Sequence, residues 1–350
     1  MLKPGFGVFI GSVCLLMVGC NKTADVTEPA PTVAEKQSPE NAEKQSSTNG
    51  TATVAKIPVT EVKEPSPPGM VLVPAGSFTM GNTFSGEGTD NEQPVQPVDV
   101  TAFYMDQHEV TKAQWDDVYN WATKHGYAFE NGGQGKGTNH PVQSVSWYNC
   151  VKWCNAKNEK ENRIPAYYTS AEQTTVYRTG QIAVENDWVK WNAGYRLPTE
   201  AEWEKAARGG PSGQRFPWSN TNNITHSLAN YRSSPRHPYD TSPTRDEHPA
   251  SKIGDRPYTS PVGSFDPNGY GLYDMAGNVW EWCWDWFGSY SSFPTTDPHG
   301  STLGSSRVLR GGSWDYYADG CRVAYRGSSP PTGSYSNMGF RIILPQGKSK

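Results

Sequence analysis

Long apolar runs, a surplus of one charge and paired cysteines are what this 350-residue sequence has little of. Lysine and arginine number 31 against 35 aspartates and glutamates, a formal net charge of −4, so no basic surplus exists to neutralise a phosphate backbone and nucleic acid is not an expected partner. The apolar segment Val8–Val18 is too short to cross a bilayer. Beyond residue 20 only Cys150, Cys154, Cys283 and Cys321 remain, with neither a CxxC pair nor a zinc spacing. The seven histidines are scattered, and there is no GxSxG elbow and no phosphate-cradling glycine loop. Serine-hydrolase and nucleotide chemistry therefore have no signal.

What is there begins with an address. Lys3 and the apolar segment read as a secretory signal over residues 1–19. It ends in Met17-Val18-Gly19-Cys20, which resembles a bacterial lipobox with Cys20 as the lipid-bearing residue; cleavage and full secretion is the alternative. Several acyl chains anchor stably, because each buried methylene adds roughly 0.8 kcal/mol. Asn21 after the cysteine fits outer-membrane sorting, which places the protein in the cell envelope on either the periplasmic or the surface face. Residues 20–68 are rich in Thr, Ala, Glu, Lys, Ser and Pro without aromatics, too polar to bury a core. As a flexible coil this tether reaches roughly 35–40 Å.

Residues 69–345 differ sharply, with dense Trp, Tyr and Gly, and 346–350 form a tail. "TKAQWDDVYNWATKHG" predicts a helix from the N-cap Thr111, with Gln114 closing a capping box and Gly126 as the stop. "SVSWYNCVKWCN" predicts a second, capped by Ser146, with Trp147, Cys150, Val151 and Cys154 on one face; both cysteines then read as small buried hydrophobes. "RLPTEAEWEKAARGG" predicts a third, with Thr199 and Glu202 as the box, Trp203, Ala206 and Ala207 inward, and Gly209 at the end. Short strands between Gly, Pro and Asn turns supply the rest, so the fold class is α+β.

In order, "MVLVPAGSFTMGN", "FYMDQHEVTKAQW", "PVQSVSWYNCVKWCN", "YRLPTEAEWEKAARGG", "PVGSFDPNGYGLYDMAGNVWEW" and "RVLRGGSW…CRVAYR…GFR" resemble the formylglycine-generating enzyme (sulfatase-modifying factor) family. The resemblance implies an irregular fold with few helices, a C-type-lectin-like core and structural calcium. For one calcium site it implies the side chains of Asp274 and Glu281 with the carbonyls of Gly277 and Val279; for the other, Asn230, the Tyr231 carbonyl and Asp255. Hard oxygens of this kind suit Ca²⁺. Enzymatic members oxidise a sulfatase cysteine to formylglycine, using oxygen and copper held by two cysteines, a soft pair that matches Cu(I). Here the first of those positions is Tyr316, and the only sulfur in the segment is Cys321. Aligned by Arg322 and Arg326, Cys321 matches neither ligand and reads as a buried residue; its pairing with Cys283 stays open. The histidine-rich iron cluster of the sulfoxide-forming relatives is missing as well.

Between Asp315 and Asn337, apart from the frame residues Cys321, Arg322, Ala324 and Arg326, only Asp, Tyr, Ala, Gly, Val, Ser, Pro, Thr and Asn occur. Randomised adenines in Asn codons yield such a set, and the segment resembles the variable region of lectin-like lipoproteins diversified by retroelements. Tyrosine brings wide contact at low rotamer cost, while Ser, Gly and Asn adapt, as in antibody paratopes. Tyr316, Tyr317, Tyr325 and Tyr335 are the expected anchors and Asp315, Asp319 and Asn337 the polar contacts. Ordinary loop packing is the competing reading of these side chains. Trp314, Phe340, Arg322, Arg326 and Arg341 are expected to be buried scaffold. The expectation is a membrane-tethered binder of a protein or glycan through loop 315–337, leaning away from an enzyme. The alternative is a formylglycine-generating oxidase, or another oxidative maturation factor, dependent on copper and Cys321.

Overall fold

The computed structural model describes residues 66–291, 293 and 295–347. The signal at 1–19, the anchor Cys20 and the tether as far as residue 65 lie outside the described residues. Three α-helices form where the sequence supplies caps. Helix α1 (Lys112–Ala122) starts at Thr111, whose hydroxyl accepts from Gln114 N while the Gln114 amide accepts from Thr111 N at 2.8 Å. It ends four residues before Gly126, because Thr123 and the residues after it bond back in turns, with His125 N and Tyr127 N both donating to Ala122 O. Helix α2 (Trp147–Lys160) starts at Ser146. Helix α3 (Glu200–Arg208) has the full Thr199–Glu202 box and stops at Gly209, where φ of 66° is left-handed and suits a residue without a side chain.

The strands are short. β1 (Met70–Val73) and β10 (Ile343–Pro345) both pair antiparallel with β4 (Phe103–Asp106), so the end of the domain is stitched to its beginning. β3 (Gln96–Val100) lies between β2 (Gly76–Met80) and the two-residue β6 (Thr295–Thr296). The third sheet has the order β8 (Gly327–Ser329), β7 (Arg307–Arg310), β5 (Trp280–Trp286), β9 (Met338–Gly339). It carries the C-terminal segment on its outer strands. The fold is mixed α+β, with few helices and short strands, as the sequence predicts.

Tryptophans fill the core. Trp115, Trp147, Trp153, Trp282 and Trp284 are fully buried between α1, α2 and the third sheet, and Phe340 meets Trp153 edge-on at 5.3 Å. Cys150 and Cys154 lie on the inner face of α2, and Trp203, Ala206 and Ala207 on that of α3, all buried. All four cysteines among the described residues are buried and free, so Cys283 and Cys321 are not bridged. No described helix is long and apolar enough to cross a membrane.

Candidate binding surface

The loop that begins after β7 is held by arginines. Arg322 grips Glu92 with two bonds of 2.8 and 2.7 Å, and Arg326 grips Glu200 at the first turn of α3 with 2.6 and 2.7 Å. Arg326 also donates to the carbonyls of Asn91 and Gly288, both at 2.8 Å. Arg341 holds Glu281 with two bonds of 2.7 Å and donates to Tyr273 O at 2.9 Å. Each guanidinium is buried, as is each carboxylate. Burying such charges is tolerable only because the fork geometry satisfies both partners. Trp314 and Phe340 are buried, as expected, and Trp314 Nε1 donates to Ser336 O at 3.2 Å, closing the loop across its base.

Interleaved with this frame, all seven expected contact residues reach the surface: Asp315, Tyr316, Tyr317, Asp319, Tyr325 and Asn337 are half-buried, and Tyr335 is exposed. They do not act alike. Tyr316 and Tyr325 share a hydroxyl–hydroxyl bond of 2.7 Å and stand against Trp280 at 5.1 and 5.8 Å, a prepacked aromatic platform. Burial, then the Tyr316 hydroxyl, raises the Tyr325 pKa, so the Tyr325 hydroxyl keeps its proton. Tyr317 lies within 5.4 and 5.8 Å of the guanidiniums of Arg232 and Arg236. Asp315 accepts from Ser313 Oγ at 2.7 Å and from Asn337 Nδ2 at 3.0 Å, so these two polar residues tie the loop's ends together. Asp319 is the free one: its carboxylate lies 3.5 Å from His237 Nε2, at the wall of a cavity of about 460 Å³ shared with Tyr325, Tyr239 and the turn 85–89. Sequence reasoning missed His237, Tyr239 and Trp280 here; of these only Trp280 lies in a quoted motif.

Cys321 faces the other way. It is 1% exposed and packs with Phe216, Ile224 and Tyr231, whereas Cys283 lies in a separate cluster with Trp203 and Val308. Burial pushes its thiol well above the usual range, and the carboxylates of Asp319 and Asp240 push the same way. A single protonated, inaccessible thiol does not fit a two-thiolate copper centre.

Gly277 of one expected calcium set lies against Asn230 of the other. Asp274 takes φ of 54°, accepts from Gly263 N at 2.6 Å through Oδ2, and leaves Oδ1 buried without a partner. Gly277 touches the Asn230 backbone so closely that a Cβ would lie 2.2 Å from Asn230 O, bringing the two sets side by side. Asn230 Oδ1 is likewise buried and unpartnered, and its Nδ2 donates to Tyr258 O at 2.9 Å. The Tyr231 carbonyl accepts from His226 Nε2 at 3.1 Å, and Asp255 is exposed. Val279 N donates to Glu109 at 3.3 Å, and Asn278 Nδ2 does so at 3.0 Å. Glu281 is held on both oxygens by Arg341, and Trp203 Nε1 adds a bond of 2.7 Å to Oε2, so Asp274 holds the free carboxylate oxygen. Burial and mutual repulsion push Glu109 and Asp274 upward, because three carboxylates surround the single Arg341. Among the described residues no three His, Cys, Asp or Glu side chains converge on one point, so a cation here would rely on Asp274, Asn230 and backbone carbonyls. Each expected set thus keeps one orphaned side-chain oxygen, Asp274 Oδ1 and Asn230 Oδ1, which a calcium ion at that site would satisfy.

The model of the sulfatase-modifying factor enzyme 1-like domain matches residues 55–345. The chain belongs to this family. Within the sulfatase-modifying factor family, it is 37% identical to a formylglycine-generating enzyme of Streptomyces coelicolor, over 78% of this chain and 88% of that one. It is 33% identical to the chaperone protein LppX of Paenibacillus barcinonensis, with the same coverage of 78% and 88%. Among solved structures, Treponema denticola variable protein 1 superposes with a TM-score of 0.60 at 30% identity, covering 79% of this chain and 95% of that one. The sulfatase-modifying factor scaffold is thus similar here both to a named enzyme and to a named variable protein.

Proposed function

We propose that this family member is a membrane-tethered receptor that binds a protein or glycan through loop 315–337, without oxidase activity. The observation that carries the reading is the interleaving just described: Tyr335 is exposed and Tyr317 and Asp319 are half-buried at the surface, while Arg322 and Arg326 between them are buried and locked to Glu92 and Glu200. Such a loop tolerates replacement of its outward residues without losing its path. Likeness to a variable protein at 30% identity supports retroelement diversification of those positions. Calcium at Asp274 and Asn230 braces the adjoining turns, and Cys20 tethers the domain to the envelope, at the outer membrane. The oxidase reading draws on the 37% identity to a formylglycine-generating enzyme and is opposed by the buried, single Cys321.

The test is to sequence the locus across many isolates and count substitutions in codons 315–337. Changes confined to outward residues, with an Asn-rich near-copy and a reverse transcriptase gene nearby, are expected. A constant segment without a template sinks diversification. Copper-dependent oxidation of a cysteine peptide that disappears in Cys321→Ser would sink the receptor in favour of the oxidase.

A further inference from the structure

Where the first turn of α3 meets the end of β5 lies a cavity of about 530 Å³, to whose wall the loop 315–337 contributes Arg326 alone. This is the size range of small-molecule sites. Its charged groups are unequal. Arg326 reaches the wall but is saturated by Glu200 and two carbonyls, and Glu200 is neutralised by Arg326 with Arg310 behind it. His299 is held neutral, its pKa lowered by burial and stacked on Trp191. Asp285 is left over. It is 4% exposed, its Oδ2 accepts from Glu200 N at 2.7 Å, and among the described residues its Oδ1 accepts no hydrogen bond. Gly300 lies so near that a Cβ would sit 2.5 Å from Oδ1, so the glycine keeps this oxygen approachable. Thr295 Oγ1, also on the wall, is buried without a partner.

The mouth is different in kind. Phe293 and Leu303, on the segments running into and out of the cavity wall, are 76% and 82% exposed, the highest values among the large apolar side chains described. A buried carboxylate with an idle oxygen, no unpaired cation on the cavity wall, and exposed apolar side chains on the adjoining segments together specify a ligand: a donor-bearing head of positive charge on an apolar body. We propose that this cavity is a second binding site, for a small organic cation, with Asp285 receiving the ammonium group and Phe293 and Leu303 covering the apolar part. An anionic ligand would meet Asp285 with no unpaired guanidinium on the wall to offset it. A neutral polyol could use Thr295 but would leave the carboxylate without a counter-charge.

Three probes with one apolar body separate these cases at pH 8, above the raised range of the Asp285 carboxyl: phenethylamine, phenethyl alcohol and phenylacetate, titrated into the folded domain and followed by protein NMR. The amine is expected to bind at least tenfold more tightly than the alcohol, the carboxylate not to bind, and shifts to cluster around Ala201, Thr296 and Ser301. Asp285→Asn should remove the preference for the amine. Because Asp285 also caps α3, Ser301→Phe serves as the second variant: it blocks the exposed mouth, should leave the melting temperature unchanged and should abolish binding. Absence of amine binding, equal or tighter binding of phenylacetate, or full binding in Ser301→Phe would each overturn the assignment.

Discussion

Two sets of side chains alternate between Trp314 and Arg341, and they are treated oppositely. Arg322, Arg326 and Arg341 are buried and doubly bonded, to Glu92, Glu200 and Glu281 in turn. Tyr317, Asp319 and Tyr335 share the same stretch of chain and have no such commitments. The contrast explains how one segment can be fixed in path and free in surface chemistry: the energy that sets the backbone comes from residues that no ligand would touch. The sharpest way to break this picture is to remove a frame residue. Arg322→Ala strands Glu92, which is fully buried, and should cost about 3–5 kcal/mol. Denaturant unfolding measures it; a loss below about 1 kcal/mol would mean that packing, not the ion pair, sets the path.

The next effect concerns the turns behind the frame. If calcium sits against Asp274 Oδ1 and Asn230 Oδ1, the ion at a hundredfold excess over its dissociation constant stabilises by about 2.7 kcal/mol. EDTA should lower the melting temperature and added calcium restore it, while Asp274→Asn should lose that response. A melting temperature indifferent to both reagents would leave the orphaned oxygens to water.

A smaller change is expected on the other set. Tyr317→Ala removes two cation–π contacts with exposed arginines, a stability cost of about 1 kcal/mol. Its effect should fall on recognition instead, with ligand binding weakened tenfold or more, as for an aromatic hot spot. Calorimetric titration with the ligand, once captured, separates the two outcomes. Loss of fold without selective loss of binding would place Tyr317 in the frame.

Local signals were legible and distant ones were not. Thr111, Ser146 and Thr199 each cap a helix because capping is decided within four residues, and Gly209 ends α3 for the same reason. Burial of Trp314, Phe340 and the arginines followed from their place in strand-like motifs. The partners did not: Glu92 lies 230 positions from Arg322 and Glu200 126 from Arg326, separations at which spacing carries no information. The same limit hid Glu109 beside the Asp274 turn and Asp285 in its cavity. Glu281 was legible as a buried carboxylate, yet its commitment to Arg341 required the fold.

The smallest effect is one of pH, and it divides the cavity's two titrating groups. His299 is lowered from 6.5 to about 4, so the folded state resists protonating it. Its contribution is present above pH 6.5 and is lost as pH falls towards 4. The shift corresponds to about 3 kcal/mol at 1.36 kcal/mol per unit, and partial exposure reduces this to about 1 kcal/mol. Asp285 runs the other way: burial first, then the Glu200 charge, raises it from 3.8 to about 7, so its folded form holds a proton that the unfolded chain releases. That contribution is complete below 3.8 and is lost as pH rises through 7. The two slopes oppose each other between pH 4 and 6.5, and the wild-type profile alone cannot separate them. Subtracting the profile of His299→Gln can: the difference should shrink by about 1 kcal/mol from pH 7 to pH 5, whereas a flat difference would mean that His299 is solvated and its stack on Trp191 too loose to exclude a charge.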